Sequence, residues 1–235
     1  MKQKRQIVLD TETTGIDPLQ GHRIIEIGCV ELVNRRFTGN NYHVYINPDR
    51  IVEQEAIDVH GITNEFLADK PKYRDISQEF FDYINGAELV IHNAAFDVGF
   101  MDHEFRLLDR TWAGTAQYCE ILDTLDMARK KHPGQRATLD ALCKKYGINN
   151  AHRVLHGALL DAEILADVYL MMSGGQININ LVTSGQASAD DVGIRRLDSN
   201  RQKLNVIHAT ADELQKHEER LDIVEKKGGS VLWRA

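Results

Sequence analysis

Residues 87–109 read AELVIHNAAFDVGFMDHEFRLLD, and the way this stretch changes character decides the fold. It opens on a short continuous apolar run, as a strand buried on both faces does, and passes without a spacer into an amphipathic helix. Residues 118–131, YCEILDTLDMARKK, make the same change. Two strands each followed at once by a helix imply parallel pairing, because the helix must carry the chain back before the next strand begins.

Upstream the pattern differs. IVLDTETTG (7–15), RIIEIGCVELV (23–33) and YHVYINP (42–48) are rich in strand formers and joined by short connections, which predicts an antiparallel meander. YRDISQEFFDYING (73–86) then places Ile76, Phe80 and Ile84 at helical spacing and stops at Gly86. Downstream, TLDALCKKYGI (138–148) predicts a short helix closed by Gly147, and HGALLDAEILADVYLMMSGG (156–175) a longer one closed by Gly174. The expected fold class is α/β: one mixed sheet, an antiparallel meander plus parallel strands, flanked by helices.

The pattern stops after SGGQ (173–176). TSGQASADDVGIRRLDSN (183–200) is small and polar with no apolar period, which reads as a linker. Residues 203–235 regain a short apolar run, a Thr210/Glu213 capping box, a helix with Leu214, Leu221 and Val224, and a final VLW. About 30 residues cannot build a core of their own. The expected organisation is a domain over 1–174, a linker over 175–202 and a tail over 203–235.

With 235 residues, 43% of them hydrophobic, the chain can bury one substantial core. A net charge of −7 argues against a broad basic surface that grips nucleic acid, yet suits a site built from carboxylates. No apolar run approaches the roughly 20 residues that cross a bilayer, and the start lacks a secretion signal, so a cytoplasmic protein with no membrane contact is expected. Cys29, Cys119 and Cys143 match neither a disulfide framework nor a zinc pattern and read as small core residues.

Four acids carry the chemistry. A strand sends residues i and i+2 to one face, so Asp10 and Glu12 point the same way at the end of a buried strand. Alone, such a pair is ordinarily a solvated strand end. Asp97 begins a helix directly after a buried strand, where the helix dipole alone could explain it, but that is also where open α/β sheets form their ligand crevice. His156 and Asp161 are five apart, so a continuous helix would splay them. With His156 in the loop, where Gly157 allows a turn, and Asp161 one turn inside, both reach one site. Four carboxylates from three segments suit two Mg²⁺ or Mn²⁺ ions, which clamp the attacking and leaving oxygens of a phosphoryl transfer. A neutral His156 is suited to take a proton from the attacking water.

DTETTG, HNAAFD and HGALLDAEILADVYL together resemble the three motifs of the four-acid, histidine-type 3′→5′ exonucleases, over about residues 6 to 174. EAIDVHGI, SGGQ and KKGGSVLWRA extend the similarity to the proofreading-subunit family of bacterial DNA polymerase III. The resemblance implies a ribonuclease-H-like fold and hydrolysis of single-stranded or mispaired DNA 3′ ends to nucleoside 5′-monophosphates. By the same resemblance Asp10 bridges two metals, Glu12 and Asp161 hold the one that activates water, Asp97 supports the second, and His156 is the general base. Glu55 and His60, which pattern alone does not single out, match positions contacting the terminal nucleotide. The partners implied are the DNA 3′ end, the polymerase III alpha subunit on residues 203–235, and possible capture of a small accessory subunit by the exonuclease domain. QININL (176–181) resembles the glutamine-led motif that docks on the sliding clamp through Gln176, Ile179 and Leu181. Two other readings stand beside this one: an RNA-trimming exonuclease with the same site, and a polymerase-binding scaffold whose catalysis is dispensable.

Overall fold

The computed structural model describes residues 4–150, 153, 155–174 and 209–228. The chain divides into two units, Met1–Asn178 and Ile179–Ala235.

The first unit is built on a single mixed sheet. Strand β1 (Arg5–Thr13) pairs antiparallel with β2 (Ile24–Val33), whose far edge is shared by the short β3 (Arg36–Phe37) and by β4 (Tyr42–Tyr45). On its other side β1 pairs in parallel with β5 (Glu88–Ile91), and β5 with β6 (Glu120–Asp123). Meander and parallel strands are thus both present as the sequence predicts. The strand expected over 42–48 stops as a ladder at Tyr45.

Two short helices, α1 (Gln54–His60) and α2 (Asn64–Leu67), follow β4 and are not apparent from periodicity. Each is held by a small apolar cluster in which Val52, Ile62 and Leu67 pack on Ile25, rather than by a long amphipathic face. The remaining helices of this unit are α3 (Tyr73–Ile84), α4 (Ala94–Leu108), α5 (Thr124–Lys131), α6 (Leu139–Tyr146) and α7 (Ala158–Ser173). α6 ends at Gly147 in the left-handed region (φ 70°), as expected of a residue without a Cβ.

Strand alternation separates two cores. Ile7 and Leu9 of β1 face Phe80 of α3 and Phe100 of α4 on one side of the sheet. Val8, between them, faces Ala162, Leu165 and Ala166 of α7 on the other. α7 is apolar nearly all round because its far face is covered in turn: Ile164, Val168 and Met172 pack on Leu142 and Cys143 of α6. All three cysteines are buried and free, as read from the sequence.

In the second unit, α8 (Ala211–Gly228) is capped by Thr210, whose Oγ accepts from Glu213 N at 3.3 Å while Glu213 Oε2 accepts from Thr210 N at 2.8 Å. The capping box is therefore formed. Leu221 is buried, whereas Leu214, Ile223 and Val224 are exposed. Gln176, Ile179 and Leu181, which the sequence resemblance assigns to clamp docking, and the terminal VLW lie outside the described residues. No described helix is long and apolar enough to cross a membrane.

Candidate active site

β1 outruns its parallel neighbour: the last β1–β5 pair is Leu9 with Ile91, so Asp10, Thr11 and Glu12 project into the crevice beyond the sheet. Alternation sends Asp10 and Glu12 to the α7 side, with Val8, and Thr11 to the α4 side, with Leu9. Thr11 Oγ donates to Asp97 Oδ1 at 2.7 Å, as that geometry requires.

Their partners on β2 determine where α7 comes to rest. Asp10 pairs with Gly28 and Glu12 with Glu26, so both partners share the α7 face. A Cβ on Gly28 would stand 2.1 Å from Leu159 N, so the first turn of α7 lies on bare backbone. One pair further along, Glu26 Oε2 accepts from Ala158 N at 3.1 Å and caps the helix, while Oε1 meets His43 Nε2 at 2.7 Å. Asp161, one turn in, is thereby delivered beside Asp10 and Glu12. Gly157 is extended (φ −154°) and a Cβ there would meet nothing within 4 Å, so the expected need for glycine at this turn is not found.

Asp97 is aimed by a second device. Asp123, at the end of β6, accepts from Asn93 N at 3.2 Å and Ala94 N at 3.1 Å, and also caps α5 through Leu125 N at 2.8 Å. One carboxylate thus ties the two strand-to-helix turns together and places the first turn of α4 over the crevice. Asp97 is 3% exposed there.

The four acids and His156 line one cleft of about 800 Å³. Ligand atoms of Glu12, His156 and Asp161 all lie within 4.8 Å of one another. Burial and the neighbouring charges of Asp97, Glu12 and Asp161 push Asp10 well above the usual carboxylate range. Burial, then Glu26 and Asp161, push Glu12 up to about 8. Burial pushes Asp97 up to about 7, against the hydrogen bonds from Thr11 that favour its charged form. Hard oxygen donors that repel one another this strongly are matched to divalent cations, so the residues present fit a two-metal centre.

His156 is half exposed, and its backbone N donates to Val59 O at 3.2 Å, tying the loop to α1. Its Nδ1 lies 3.4 Å from Asp161 Oδ2. Glu55 is exposed on α1, and neither it nor His60 lines the cleft. His60 is buried, its Nδ1 accepts from Ile62 N at 3.0 Å, and its Nε2 has no hydrogen-bond partner among the described residues. Burial, then the nearby His156, depress its pKa.

Sequence reading missed Thr11, Glu26 and Arg153. Glu26 left a signal, an acid inside the otherwise apolar run IIEIGCV. Arg153 left a weaker one, a cation three residues before His156. Its guanidinium forks onto Asp161, Nε to Oδ1 at 2.5 Å and Nη2 to Oδ2 at 2.7 Å.

The exonuclease family model, RNase_T, matches residues 7–169. The chain is 57% identical to the DNA polymerase III subunit epsilon of Escherichia coli K12, over 98% of each chain. It is 55% identical to the subunit of that name from Haemophilus influenzae Rd, over 97% of this chain and 94% of the other. Among solved structures, Exonuclease X in complex with 5′ overhanging duplex DNA superposes with a TM-score of 0.57 at 28% identity, covering 71% of this chain and 90% of that one. The nuclease domain of 3′hExo, a DEDDh family member bound to rAMP, shares the fold with a TM-score of 0.62 at 18% identity, covering 73% and 92%. With its ribonuclease-H-like sheet and its cleft of four acids, the chain belongs to the DNA polymerase III epsilon subunit family of 3′→5′ proofreading exonucleases.

Proposed function

We propose that the cleft is the exonuclease site, with Asp10, Glu12, Asp97 and Asp161 as the metal-holding carboxylates and His156 as the general base. The observation that carries this is convergence: acids from β1, α4 and α7 meet in one cleft beside a half-exposed histidine. The family uses two divalent ions, Mg²⁺ or Mn²⁺, which when bound supply Lewis-acid charge to the phosphodiester. The chain's own part is to hold Asp10 and Glu12 rigidly on β1, to keep Asp97 in place through Thr11, and to present the His156 ring to the attacking water. His60, whose buried Nε2 has no partner among the described residues, and Glu55 on the same helix stand outside the cleft lining, and the family resemblance is what assigns them a contact with the terminal nucleotide. A frayed 3′ end, already unstacked, costs less to bring into such a cleft than a paired one. This favours mispaired DNA, released as nucleoside 5′-monophosphates. Asp10→Ala should remove hydrolysis of DNA oligomers and raise the metal-free melting temperature, since it takes out a carboxyl that folding desolvates and crowds against Asp97, Glu12 and Asp161. Retention of more than about a tenth of the activity would contradict the two-metal assignment.

Residues 203–235 are proposed to bind the polymerase III alpha subunit and residues 176–181 the sliding clamp, in the cytoplasm. The support is α8, capped yet with Leu214, Ile223 and Val224 exposed, as a helix that folds against a partner would have them. Deleting 203–235 should leave oligonucleotide hydrolysis and abolish co-sedimentation with the polymerase subunit. Replacing Gln176, Ile179 and Leu181 by Ala should weaken clamp binding alone. Undiminished binding in either variant sinks the corresponding assignment.

A further inference from the structure

Two arginines among the described residues line the cleft, Arg129 and Arg153, and Arg153 is hydrogen-bonded to one of the four acids. Its side chain is 9% exposed, and besides the fork onto Asp161 it donates through Nη1 to Asp140 Oδ1 at 3.0 Å. The fork occupies both oxygens of Asp161. Nη2 also lies 2.9 Å from His156 Nδ1. A guanidinium has no lone pair to offer, so Nδ1 must be the acceptor in that contact, and the proton of the neutral imidazole then sits on Nε2. A docked Arg153 therefore engages two groups at once: the oxygens of an acid read as a metal ligand, and the ring nitrogen whose tautomer decides whether Nε2 can accept a proton.

We propose that Arg153 is a placeholder for the divalent cation: it docks on Asp161 and His156 in the metal-free chain and competes with metal for Asp161, so that loading the site releases it. This rests on the reading of Asp161 as a metal ligand. A guanidinium fork and an ion contend for the same carboxylate oxygens, and a positive charge held at hydrogen-bond distance from that carboxylate repels a dication even if it yields only in part. In the metal-free chain the same charge offsets the repulsion among Asp10, Glu12 and Asp161 and holds the cluster together. Release has a second consequence. With Nη2 gone, the ring proton can exchange through water from Nε2 to Nδ1, and Nδ1–H can donate a hydrogen bond to Asp161 Oδ2, 3.4 Å away, through a lone pair the ion leaves on that oxygen. The neutral ring then carries its proton on Nδ1 and presents a bare Nε2, the form a general base requires.

The test is Mn²⁺ binding to the full chain, prepared metal-free and titrated by calorimetry, with melting temperatures in chelator alongside. Arg153→Gln should bind Mn²⁺ more tightly than wild type, by roughly tenfold, because the competitor is gone, and should melt lower than wild type in chelator. A change of less than about threefold, or weaker binding, overturns the proposal. Should Arg153→Gln fail to fold, Arg153→Lys replaces the fork by a point charge and is expected to tighten Mn²⁺ binding to a smaller extent; unchanged or weaker binding there is equally fatal. A purely structural arginine would lower the melting temperature without tightening the ion. Wild-type protein that binds no Mn²⁺ would sink the metal reading of Asp161 and this proposal with it, whereas wild-type binding with an insensitive Arg153→Gln would sink this proposal alone.

Discussion

Two guanidinium forks sit in the same domain and do opposite things. Arg23 grips Glu104 through Nε–Oε1 at 2.7 Å and Nη2–Oε2 at 2.6 Å, and Ile24 N adds a third donor at 3.2 Å. Glu104 is 1% exposed, and the pair joins the start of β2 to α4. Arg153 grips Asp161 in the same way, but Asp161 shares its cleft with Asp10, Glu12 and Asp97. Around Glu104 one cation and one backbone donor face one acid, and the charges balance. Around Asp161 the acids outnumber the cations. The bond chemistry is the same in both places. What makes one fork part of the scaffold and the other exchangeable is the surplus of negative charge around the second, for which a dication is the better partner.

The sharpest way to break this comparison is to cut the scaffold fork. Arg23→Ala leaves Glu104 buried with no counter-charge, and removing one partner of a buried ion pair typically costs about 3–5 kcal/mol. Urea unfolding should show that loss whether or not Mn²⁺ is present, because Glu104 does not line the cleft. A loss below about 1 kcal/mol would mean that the two forks are not different in kind.

Much of the fold behind this contrast is legible in the amino-acid order, and the reasons are local. Period-two alternation places Asp10 and Glu12 on one face, and a strand running directly into a helix at residues 87–109 dictates parallel pairing. His156 and Asp161 can share a site only if the helix starts between them, and it starts at Ala158. What escapes is set by contacts far apart in sequence. Arg23 and Glu104 are 81 residues apart, and nothing in either neighbourhood names the other. Glu26 reads as a polar residue in a strand until the first turn of α7 is seen lying on Gly28. α1 and α2 are too short to show a period, and Arg153 precedes its helix in a loop, where spacing carries no directional information.

The next effect in size separates the two regions by pH. In the metal-free chain the neutral carboxyls of Glu12 and Asp97 are favoured by folding, since burial pushes them up to about 8 and about 7 from ordinary values of 4.5 and 3.8. A group raised in this way contributes stability that is fully present below its unfolded value and is lost as pH rises through its folded one. Melting of wild type in chelator should therefore fall between about pH 5 and about pH 8, by roughly 5 °C or more for a domain of this size. Saturating Mn²⁺ should flatten the slope, since the ionised acids are the form that holds an ion. A melting temperature in chelator that is level over this range would show that the acids ionise freely and that the charge surplus is not felt.

The smallest effect tests how the surplus is aimed. Glu26 is 2% exposed, caps α7 through Ala158 N and stands opposite Glu12 on the neighbouring strand. Its two roles oppose each other: as a cap it stabilises the helix that carries Asp161, and as a charge it is the largest single neighbour raising Glu12. Glu26→Ala loses the cap, for which about 1 kcal/mol is typical, but also relieves Glu12, so the net loss of stability should be at most about that size, or roughly 2–4 °C. Glu26→Gln keeps an oxygen for Ala158 N and an amide hydrogen for His43 while discarding the charge. It should therefore melt at or above wild type in chelator and keep Asp161 in place. The pair of variants separates position from charge: hydrolysis should fall in Glu26→Ala, where the first turn of α7 loses its anchor, and should be largely restored in Glu26→Gln. If Glu26→Gln is as impaired as Glu26→Ala, the charge itself matters to the reaction, and the division between a balanced scaffold and an overcharged site must be redrawn to include Glu26 on the side of the site.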